Sequence, residues 1–314
     1  MRVGISLKTL PEDGEKKGSV VARIVDVATT AERLGYDAVH TLDHPVPHPQ
    51  YDLPEIGHYY HNLDPFVELA VAAAATSRIR LWTNLVVLAL RNPFLTAKLV
   101  ASLDVVSSGR VIFGIGAGYQ VQEFDALGVP FAERNEIMDE AIAAMKVAWT
   151  GEPFDFTGKG FSAKGNQALP RPVQLPYPPI WVGGNSPRAV RRAVEFGQGW
   201  TPIPEPPYSD KPRSFAALSS FEALRDRIAY AREHAEKIGR TEPLDIAFST
   251  NSFGYWKGRN LSEQEQIDDA GRLTEAGVTY LTTGPLAPAG ASHAEYLEGL
   301  ERHAERVLPH LLLL

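Results

Sequence analysis

Short apolar runs rich in β-branched residues alternate along the chain with longer segments in which apolar residues recur at helical spacing. The short runs predict eight strands, at residues 3–7, 38–42, 79–88, 111–115, 180–182, 199–201, 245–249 and 279–282. The longer segments predict eight helices, at residues 19–34, 65–76, 93–107, 131–149, 187–197, 218–238, 263–276 and 292–309. Asn92-Pro93 and Ser186-Pro187 each place a capping residue before a proline, which is typical of a helix start.

Eight strand and helix units in 314 residues favour a single (β/α)8 TIM barrel over a doubly wound sheet. We therefore expect residues 1–314 to form one domain. Three long connections interrupt the regular alternation, and we interpret them as insertions at 44–63, 150–178 and 202–217. Loops of this length inside a compact barrel are usually functional or mobile, so they are candidates for substrate selection.

Composition narrows the class of protein. The chain has no cysteine, which excludes disulfides, thiolate metal sites and a cysteine nucleophile. The formal net charge is -7 and no basic block is present, so we expect no nucleic-acid partner. The N-terminus has no signal-peptide pattern and no apolar run approaches the roughly 20 residues that cross a bilayer. These features predict a cytoplasmic protein without a membrane partner.

The segment GRVIFGIGAGYQ, residues 109–120, carries glycines at 114, 116 and 118. A dinucleotide-binding fingerprint needs its third glycine one residue later and an early position in the chain. In a barrel, residues 116–119 instead form the loop after the fourth strand, on the face where active sites lie. Small residues there suit either a tight turn or the close approach of a flat ligand, and spacing alone does not choose between these.

A second glycine segment, PPIWVGGNSPRAV, covers residues 178–190. Its strand runs into Gly183, Gly184, Asn185 and Ser186 before a helix that begins with proline. Backbone N–H groups and a hydroxyl at a helix start form an anion cradle. The alternative is an ordinary serine N-cap.

Four segments together resemble the luciferase-like flavin and deazaflavin oxidoreductases, most closely the branch that uses coenzyme F420. They are GYDAVHTLDH (35–44), RNPFLTAKLVASLDVVSSGRVIFGIGAGY (91–119), QEFDALGVPFAERNEIMDEAI (122–142) and PPIWVGGNSPRAVRRAVEFGQGW (178–200). The resemblance covers most of residues 1–200, with the segments in the family's order. It implies a (β/α)8 barrel with insertions, in agreement with the strand count.

The resemblance also implies roles for individual residues. Asp43 and His44 match a pair beside the deazaflavin ring, and His44 would donate or accept a proton, although a histidine that only caps the strand end is the alternative. A bulge with a non-prolyl cis peptide is expected at Asn84-Leu85. The other implied cofactor-binding residues are Val86 in the same bulge, Gly116, Ala117, Gly118, Tyr119 and Gln122 along the cofactor side chain and substrate, and Gly183, Gly184, Asn185 and Ser186 at the phosphate.

One position departs from the sugar-phosphate dehydrogenases of the family, which carry a carboxylate where this chain has Tyr119. That departure weakens a sugar-phosphate assignment. Three functions stay open: an F420-dependent oxidoreductase that transfers a hydride to or from a small organic substrate, an FMN-dependent monooxygenase, and a non-redox or noncatalytic barrel that binds phosphate or flavin.

Two further expectations concern metal and assembly. The cluster His48, His58 and His61 with Asp52 and Glu55 matches no ligand spacing, so we expect no metal. The same loop with its tyrosines more plausibly forms an aromatic wall over the substrate. The resemblance implies a homodimer, for which the second and third helices and the segment ELAVAAAAT (68–76) offer a surface; burial inside the monomer explains those alanines equally well.

Overall fold

A computed structural model describes residues 1–7, 19–51, 62–204, 218–250, 261–285 and 291–314. Its ten strands in chain order are β1 (Arg2–Ser6), β2 (Ala38–Thr41), β3 (Arg80–Val87), β4 (Val111–Gly116), β5 (Phe154–Gly158), β6 (Phe161–Asn166), β7 (Ile180–Gly183), β8 (Gly199–Thr201), β9 (Asp245–Ser249) and β10 (Tyr280–Thr283). Its helices are α1 (Ser19–Leu34), α2 (Pro65–Ala75), α3 (Pro93–Val106), α4 (Val121–Ala126), α5 (Arg134–Ala148), α6 (Pro187–Phe196), α7 (Phe221–Lys237), α8 (Glu263–Ala276), α9 (His293–Arg306) and α10 (Leu308–Leu313).

Eight strands form a closed barrel in the order β1-β2-β3-β4-β7-β8-β9-β10, and each neighbouring pair is parallel. These are the eight predicted strands, so the predicted (β/α)8 TIM barrel is confirmed. The remaining strands, β5 and β6, pair as an antiparallel hairpin inside the predicted insertion 150–178. The insertions 44–63 and 202–217 lie partly outside the described residues. No helix of the described residues is long and apolar enough to span a bilayer.

Helix starts follow the predicted capping chemistry. The side chain of Asn92 accepts a hydrogen bond from the N–H of Phe94 at 3.0 Å, and Asp64 accepts one from Phe66 at 2.9 Å. In both helices a proline follows the cap. Because proline has no N–H, no hydrogen-bond acceptor is needed at that position. The starts of α2 and α3 are therefore determined locally by the sequence.

Three predicted helices differ from the structure by more than one residue, and one helix was not predicted. The helix predicted at 218–238 begins only at Phe221, where the Ser220 side chain caps it. The helix predicted at 131–149 begins only at Arg134, after a 3-10 turn over Phe131–Glu133. The helix predicted at 292–309 is two helices, α9 and α10, because Pro309 has no N–H with which to continue the hydrogen-bonding of α9, and the φ of -116° at Val307 is far from the ideal helical value. The six-residue α4 was not predicted, since one and a half turns carry too little periodicity to detect.

Two layers of side chains fill the structure. The larger core lies between the barrel and its helices, while a smaller cluster fills the barrel interior. Trp82, Trp181 and Tyr280 dominate that cluster, with ring centroids 4.9–5.6 Å apart in edge-to-face contact. We call these three rings the aromatic plug.

Glycines on neighbouring strands make room for the plug. A Cβ at Gly199 would lie 2.5 Å from Trp181, and one at Gly114 would lie 2.8 Å from Trp82 Nε1 and 1.9 Å from the carbonyl oxygen of Thr83. Close packing in the interior thus requires glycine at these inward positions. The plug closes the barrel below the carboxyl ends of the strands.

Candidate active site

The residues predicted to form a site lie at the carboxyl ends of the barrel strands. His44 follows β2, residues 84–86 belong to β3, residues 116–119 follow β4, and residues 183–186 follow β7. Parallel strands place these ends on one face, which we call the barrel mouth. Contacts between the segments, described below, show that they meet there; Gln122 lies in α4, directly beyond the β4 loop.

His44 is held by a carboxylate that the sequence analysis did not single out. Its Nδ1 lies 3.0 Å from Glu123 Oε2, and the two side chains are 9% and 1% exposed. The other oxygen of Glu123 accepts a hydrogen bond from the Val46 N–H at 3.3 Å. An ionised carboxylate only accepts, so this contact places the proton on Nδ1 and makes Nε2 the basic nitrogen.

Gln120 sits against the same ring. Its Nε2 is 3.3 Å from His44 Nδ1, while its Oε1 accepts the backbone N–H of His48 at 3.1 Å. The carboxylate contact is shorter, and we take it as the one that sets the tautomer. Together, Gln120 and Glu123 bind the loop after β2 to the loop after β4.

Aromatic rings line one side of His44. The rings of His44 and Tyr119 are 5.7 Å apart in edge-to-face contact, and those of Tyr119 and Tyr51 are 6.0 Å apart. Tyr51 thus belongs to the aromatic wall that the sequence analysis expected. The other tyrosines of that expectation, Tyr59 and Tyr60, lie outside the described residues.

The Asp43 carboxylate is directed to an arginine. It accepts hydrogen bonds from Arg91 Nε at 3.0 Å, Arg91 Nη2 at 2.7 Å and the backbone N–H of Val87 at 3.1 Å. Arg91 also donates to Asp64 at 2.9 Å. The Asp43 carboxylate thus positions β3 against the β2 loop, and its place beside a cofactor ring stays a prediction.

Strand β3 carries the bulge that the resemblance implied. Its register with β4 shifts between Thr83 and Val86, and the Asn84-Leu85 peptide is cis, as expected. The Leu85 side chain lies over the glycines of two neighbouring strands, since a Cβ at Gly116 or Gly183 would be 2.4 or 2.1 Å from it. The absence of a side chain at these glycines leaves room for Leu85. The sequence had suggested a tight turn or the approach of a flat ligand at the glycine loop, so this contact with a leucine was not predicted.

The side chains of the predicted anion cradle are engaged within the protein. Ser186 Oγ accepts the Ala189 N–H at 3.2 Å as the N-cap of α6. The Asn185 amide binds both backbone groups of Ile203, at 2.6 and 2.8 Å, and so positions the loop after β8. Gly184 has φ +111°, which favours glycine. The first turn of α6 has no acidic residue, but Pro187 carries no N–H, and the N–H groups of Ala189 and Val190 are already bonded to Ser186.

Buried polar atoms inside the barrel and at its mouth fit a polar ligand. Within the described part of the chain, His40 Nδ1, Trp82 Nε1, Gln122 Oε1 and Thr201 Oγ1 are buried without a hydrogen-bond partner. A buried polar group without a partner costs about 1–3 kcal/mol, which a bound ligand with matching groups would recover. His40 and Thr201 were not among the predicted site residues, although strand alternation marks both as inward-facing.

The described residues offer no set of side chains that could bind a metal ion. Among the residues that the structure describes, no three His, Asp or Glu side chains come close enough together to hold a metal ion. Of the cluster considered from the sequence, His58, His61, Asp52 and Glu55 lie outside those residues.

The fold and the mouth define a (β/α)8 barrel of the kind that binds an organic ligand at the carboxyl ends of its strands. The chain matches the luciferase-like monooxygenase family over residues 1–304 and belongs to it. Members of this family are oxidoreductases or monooxygenases.

Two relatives are similar to this chain over different parts of its length. An uncharacterized protein of Mycobacterium tuberculosis is 35% identical over 155 residues, 49% of this chain and 55% of that protein, so the match spans about half of the relative's length. The F420-dependent glucose-6-phosphate dehydrogenase of Kineococcus radiotolerans is 31% identical over 230 residues, covering 72% of this chain and 64% of the relative.

Three solved structures share the fold. The monooxygenase RslO1 from Streptomyces bottropensis aligns with a TM-score of 0.79 at 22% identity, covering 99% of each chain. The coenzyme F420-dependent tetrahydromethanopterin reductase from Methanopyrus kandleri aligns at 0.73 and 19% identity, again over 99% of each chain. The oxygenating constituent of 3,6-diketocamphane monooxygenase from Pseudomonas putida, in complex with FMN, aligns at 0.74 and 20% identity over 98% of each chain.

Proposed function

We propose that the protein is an F420-dependent oxidoreductase that transfers a hydride between the deazaflavin ring and a small organic substrate. The observation that carries the proposal is the arrangement at the barrel mouth, where Glu123 orients His44 beside Tyr119 and the Leu85 side chain lies over the glycines of β4 and β7. The 31% identity to an F420-dependent dehydrogenase supports F420 as the cofactor.

The residues present fit such a cofactor. The start of α6, with residues 183–186, would hold its phosphate, and the Leu85 side chain would provide an apolar wall for its ring. When bound, the deazaflavin ring supplies the hydride chemistry. The protein contributes orientation, exclusion of water and a group that handles the accompanying proton.

His44 is the residue to which we assign that proton. With Nδ1 bound to Glu123, Nε2 accepts a proton from a substrate hydroxyl or returns one to a carbonyl oxygen. Glu123 acts as a positioning residue, because it holds the imidazole in one tautomer. The catalytic role belongs to His44.

Substrate selection falls to the wall around His44. Tyr119 offers an aromatic face and a hydroxyl where a sugar-phosphate dehydrogenase of the family would have a carboxylate. We therefore propose a small substrate other than a sugar phosphate, chosen by Tyr51, Tyr119 and the neighbouring loops.

Titration of the purified protein with F420 and, separately, with FMN tests the cofactor assignment, followed by quenching of fluorescence. Tighter binding of F420 supports the proposal. Tighter binding of FMN would move the protein to the oxygen-using branch represented by the FMN-bound structural neighbour. Binding of neither would leave the non-redox phosphate-binding barrel as the better description.

Turnover measurements test the role of His44 once a substrate is found by screening with reduced and oxidised F420. We expect His44→Ala to lose about 10²–10⁴-fold in kcat while F420 affinity changes little. Glu123→Gln should shift the pH profile of kcat, because an amide no longer enforces the tautomer. Undiminished turnover in His44→Ala would reduce His44 to a structural residue.

We also propose that the protein forms a homodimer through the outer face of α2 and α3. The exposed residues of α2, Val67, Ala70 and Ala74, are all apolar, and its one charged residue, Glu68, is buried. Leu95 and Leu99 of α3 are exposed beside them. Apolar patches of this kind mark association surfaces in soluble proteins.

Light scattering of the eluting protein measures the association state. Leu95→Glu should yield a monomer, while Ile238→Glu, a matched change at an exposed position beyond α7, should leave the dimer intact. A wild-type protein that elutes as a monomer at micromolar concentration would contradict the proposal.

A further inference from the structure

The barrel interior holds a histidine that the proposed mechanism does not use. His40 lies on β2, two residues beyond the inward-facing Ala38, so its side chain points into the barrel. Its ring is 5.2 Å from that of Trp82, its partner across the β2–β3 pair. His40 therefore stands at the edge of the aromatic plug, inside the mouth.

The His40 imidazole is neutral at pH 7. Burial lowers its pKa from 6.5 to about 4, since no carboxylate compensates for the loss of water. A neutral imidazole has one N–H donor and one acceptor nitrogen. Nδ1 is buried and has no hydrogen-bond partner among the described residues.

The hydroxyl oxygen of Thr201 is a second buried polar atom without a hydrogen-bond partner among the described residues, and it lies across the barrel from His40. Thr201 is two residues beyond Gly199, whose absent side chain leaves room for Trp181, so Thr201 also faces inward. Its Oγ1 is buried and makes no hydrogen bond within the described chain. Strands β2 and β8 are four positions apart in a closed barrel of eight, so His40 and Thr201 approach the interior from opposite sides.

The inward-facing residues that the structure describes around this pair are uncharged. The inward positions at the same ends of the other strands include Ser6, Ser249 and Thr282. Leu85 lies over β4 and β7 between the two polar groups, and the aromatic plug lies beneath. Such surroundings favour a flat ligand with an apolar face and uncharged donors and acceptors along one edge, and they disfavour an ionised group.

We propose that His40 and Thr201 form a hydrogen-bonding subsite at the floor of the barrel mouth, which receives the uncharged carbonyl and N–H edge of a planar heterocyclic ring. The inference rests on the proposed function in one respect, namely that the ring belongs to a flavin or deazaflavin. Both rings share that polar edge. The two residues bind and orient the ring, whereas the proton is handled by His44 at a different part of the mouth.

The test separates the ring from the rest of the cofactor. Lumiflavin has the flavin ring without a phosphate or a long side chain, so its affinity reports the ring subsite alone; F420 and FMN report the ring together with the anion cradle. His40→Phe keeps an aromatic ring against Trp82 and removes both nitrogens. Thr201→Val keeps the shape and removes the hydroxyl, and His310→Phe is a control at an exposed histidine.

We expect His40→Phe to weaken lumiflavin binding about tenfold and the binding of the preferred full cofactor by a similar factor, as the loss of one buried hydrogen bond implies. Thr201→Val should weaken both by about 3–10-fold for the same reason. His40→Gln, which restores a donor and an acceptor, should recover most of the affinity. His310→Phe should change neither.

A spectroscopic readout distinguishes a hydrogen bond from altered packing. In protein with ¹⁵N-labelled histidine, the His40 Nδ1 resonance, assigned by its absence in His40→Phe, should shift when the ring binds. Unchanged affinity in folded His40→Phe with an unmoved Nδ1 resonance would overturn the subsite while the proposed function stands. Failure of the wild-type protein to bind lumiflavin, FMN or F420 would overturn the proposed function and the subsite with it.

Discussion

Removal of the Arg91 side chain should destabilise the protein more than neutralisation of its partner Asp43. Asp43 is 3% exposed, and two of its three hydrogen-bond donors belong to Arg91. Arg91→Ala would leave a buried carboxylate with only the Val87 N–H. Asp43→Asn would leave a guanidinium that keeps Asp64 as partner and is 18% exposed to water.

The magnitudes follow from burial. Breaking a buried ion pair from one side costs about 3–5 kcal/mol, because the remaining charge has lost its compensation. For Asp43→Asn we expect a cost of about 1–2 kcal/mol, since hydrogen bonds weaken but no charge is stranded. The exposed pair of Arg33 and Glu301, 2.7 Å apart with side chains 60% and 56% exposed, is the matched control, and Arg33→Ala should cost less than about 1 kcal/mol.

The double variant sharpens the test. Arg91→Ala combined with Asp43→Asn should be more stable than Arg91→Ala alone, because the second substitution removes the stranded charge. This sign is opposite to the simple addition of two destabilising changes.

Urea unfolding at pH 7.5, followed by tryptophan fluorescence and circular dichroism, measures the free energy of unfolding of each variant. Equal costs for Arg91→Ala and Arg33→Ala, or a double variant no more stable than Arg91→Ala, would refute the assignment of a buried ionised Asp43. The same preparations, titrated with F420, show whether the pair also supports the cofactor site.

Two further predictions concern the core. Burial lowers the pKa of His303 from 6.5 to about 4, so its stabilising contribution is complete above pH 6.5 and is lost as the pH falls towards 4. Between those values His303→Gln should reduce the slope of unfolding free energy against pH by up to about 1.4 kcal/mol per pH unit, and the exposed control His310→Gln should not; parallel slopes would contradict this. Gly114→Ala should cost about 3 kcal/mol or more, because its Cβ would be 1.9 Å from the Thr83 carbonyl oxygen. Gly271→Ala, in open space within α8, should stabilise by about 0.5–1 kcal/mol, and thermal unfolding that showed the same sign for both would count against the packing described.

The strands and helices of the barrel follow from local patterns in the amino-acid sequence. Alternating and helical periodicities identify all eight strands because each strand and helix buries one face against a neighbour, and that requirement is written in local residue order. Caps at Asn92 and Ser186 act on the N–H groups next to them, so they too were predictable. The position of the Asn84-Leu85 bulge followed from family resemblance, and the cofactor-binding roles of the predicted residues stay predictions.

Which side chains meet at the site depends on how the barrel assembles. His44 and Glu123 are 79 residues apart, and Asp43 and Arg91 are 48 apart, so no local pattern relates them. The space beside Gly116 and Gly183 is filled by the side chain of Leu85, which comes from another strand. His40 gains its role because barrel closure sets Thr201 opposite it and removes water from both. Such contacts depend on register, on closure and on the packing of large rings into spaces left by distant glycines, and these are properties of the assembled barrel.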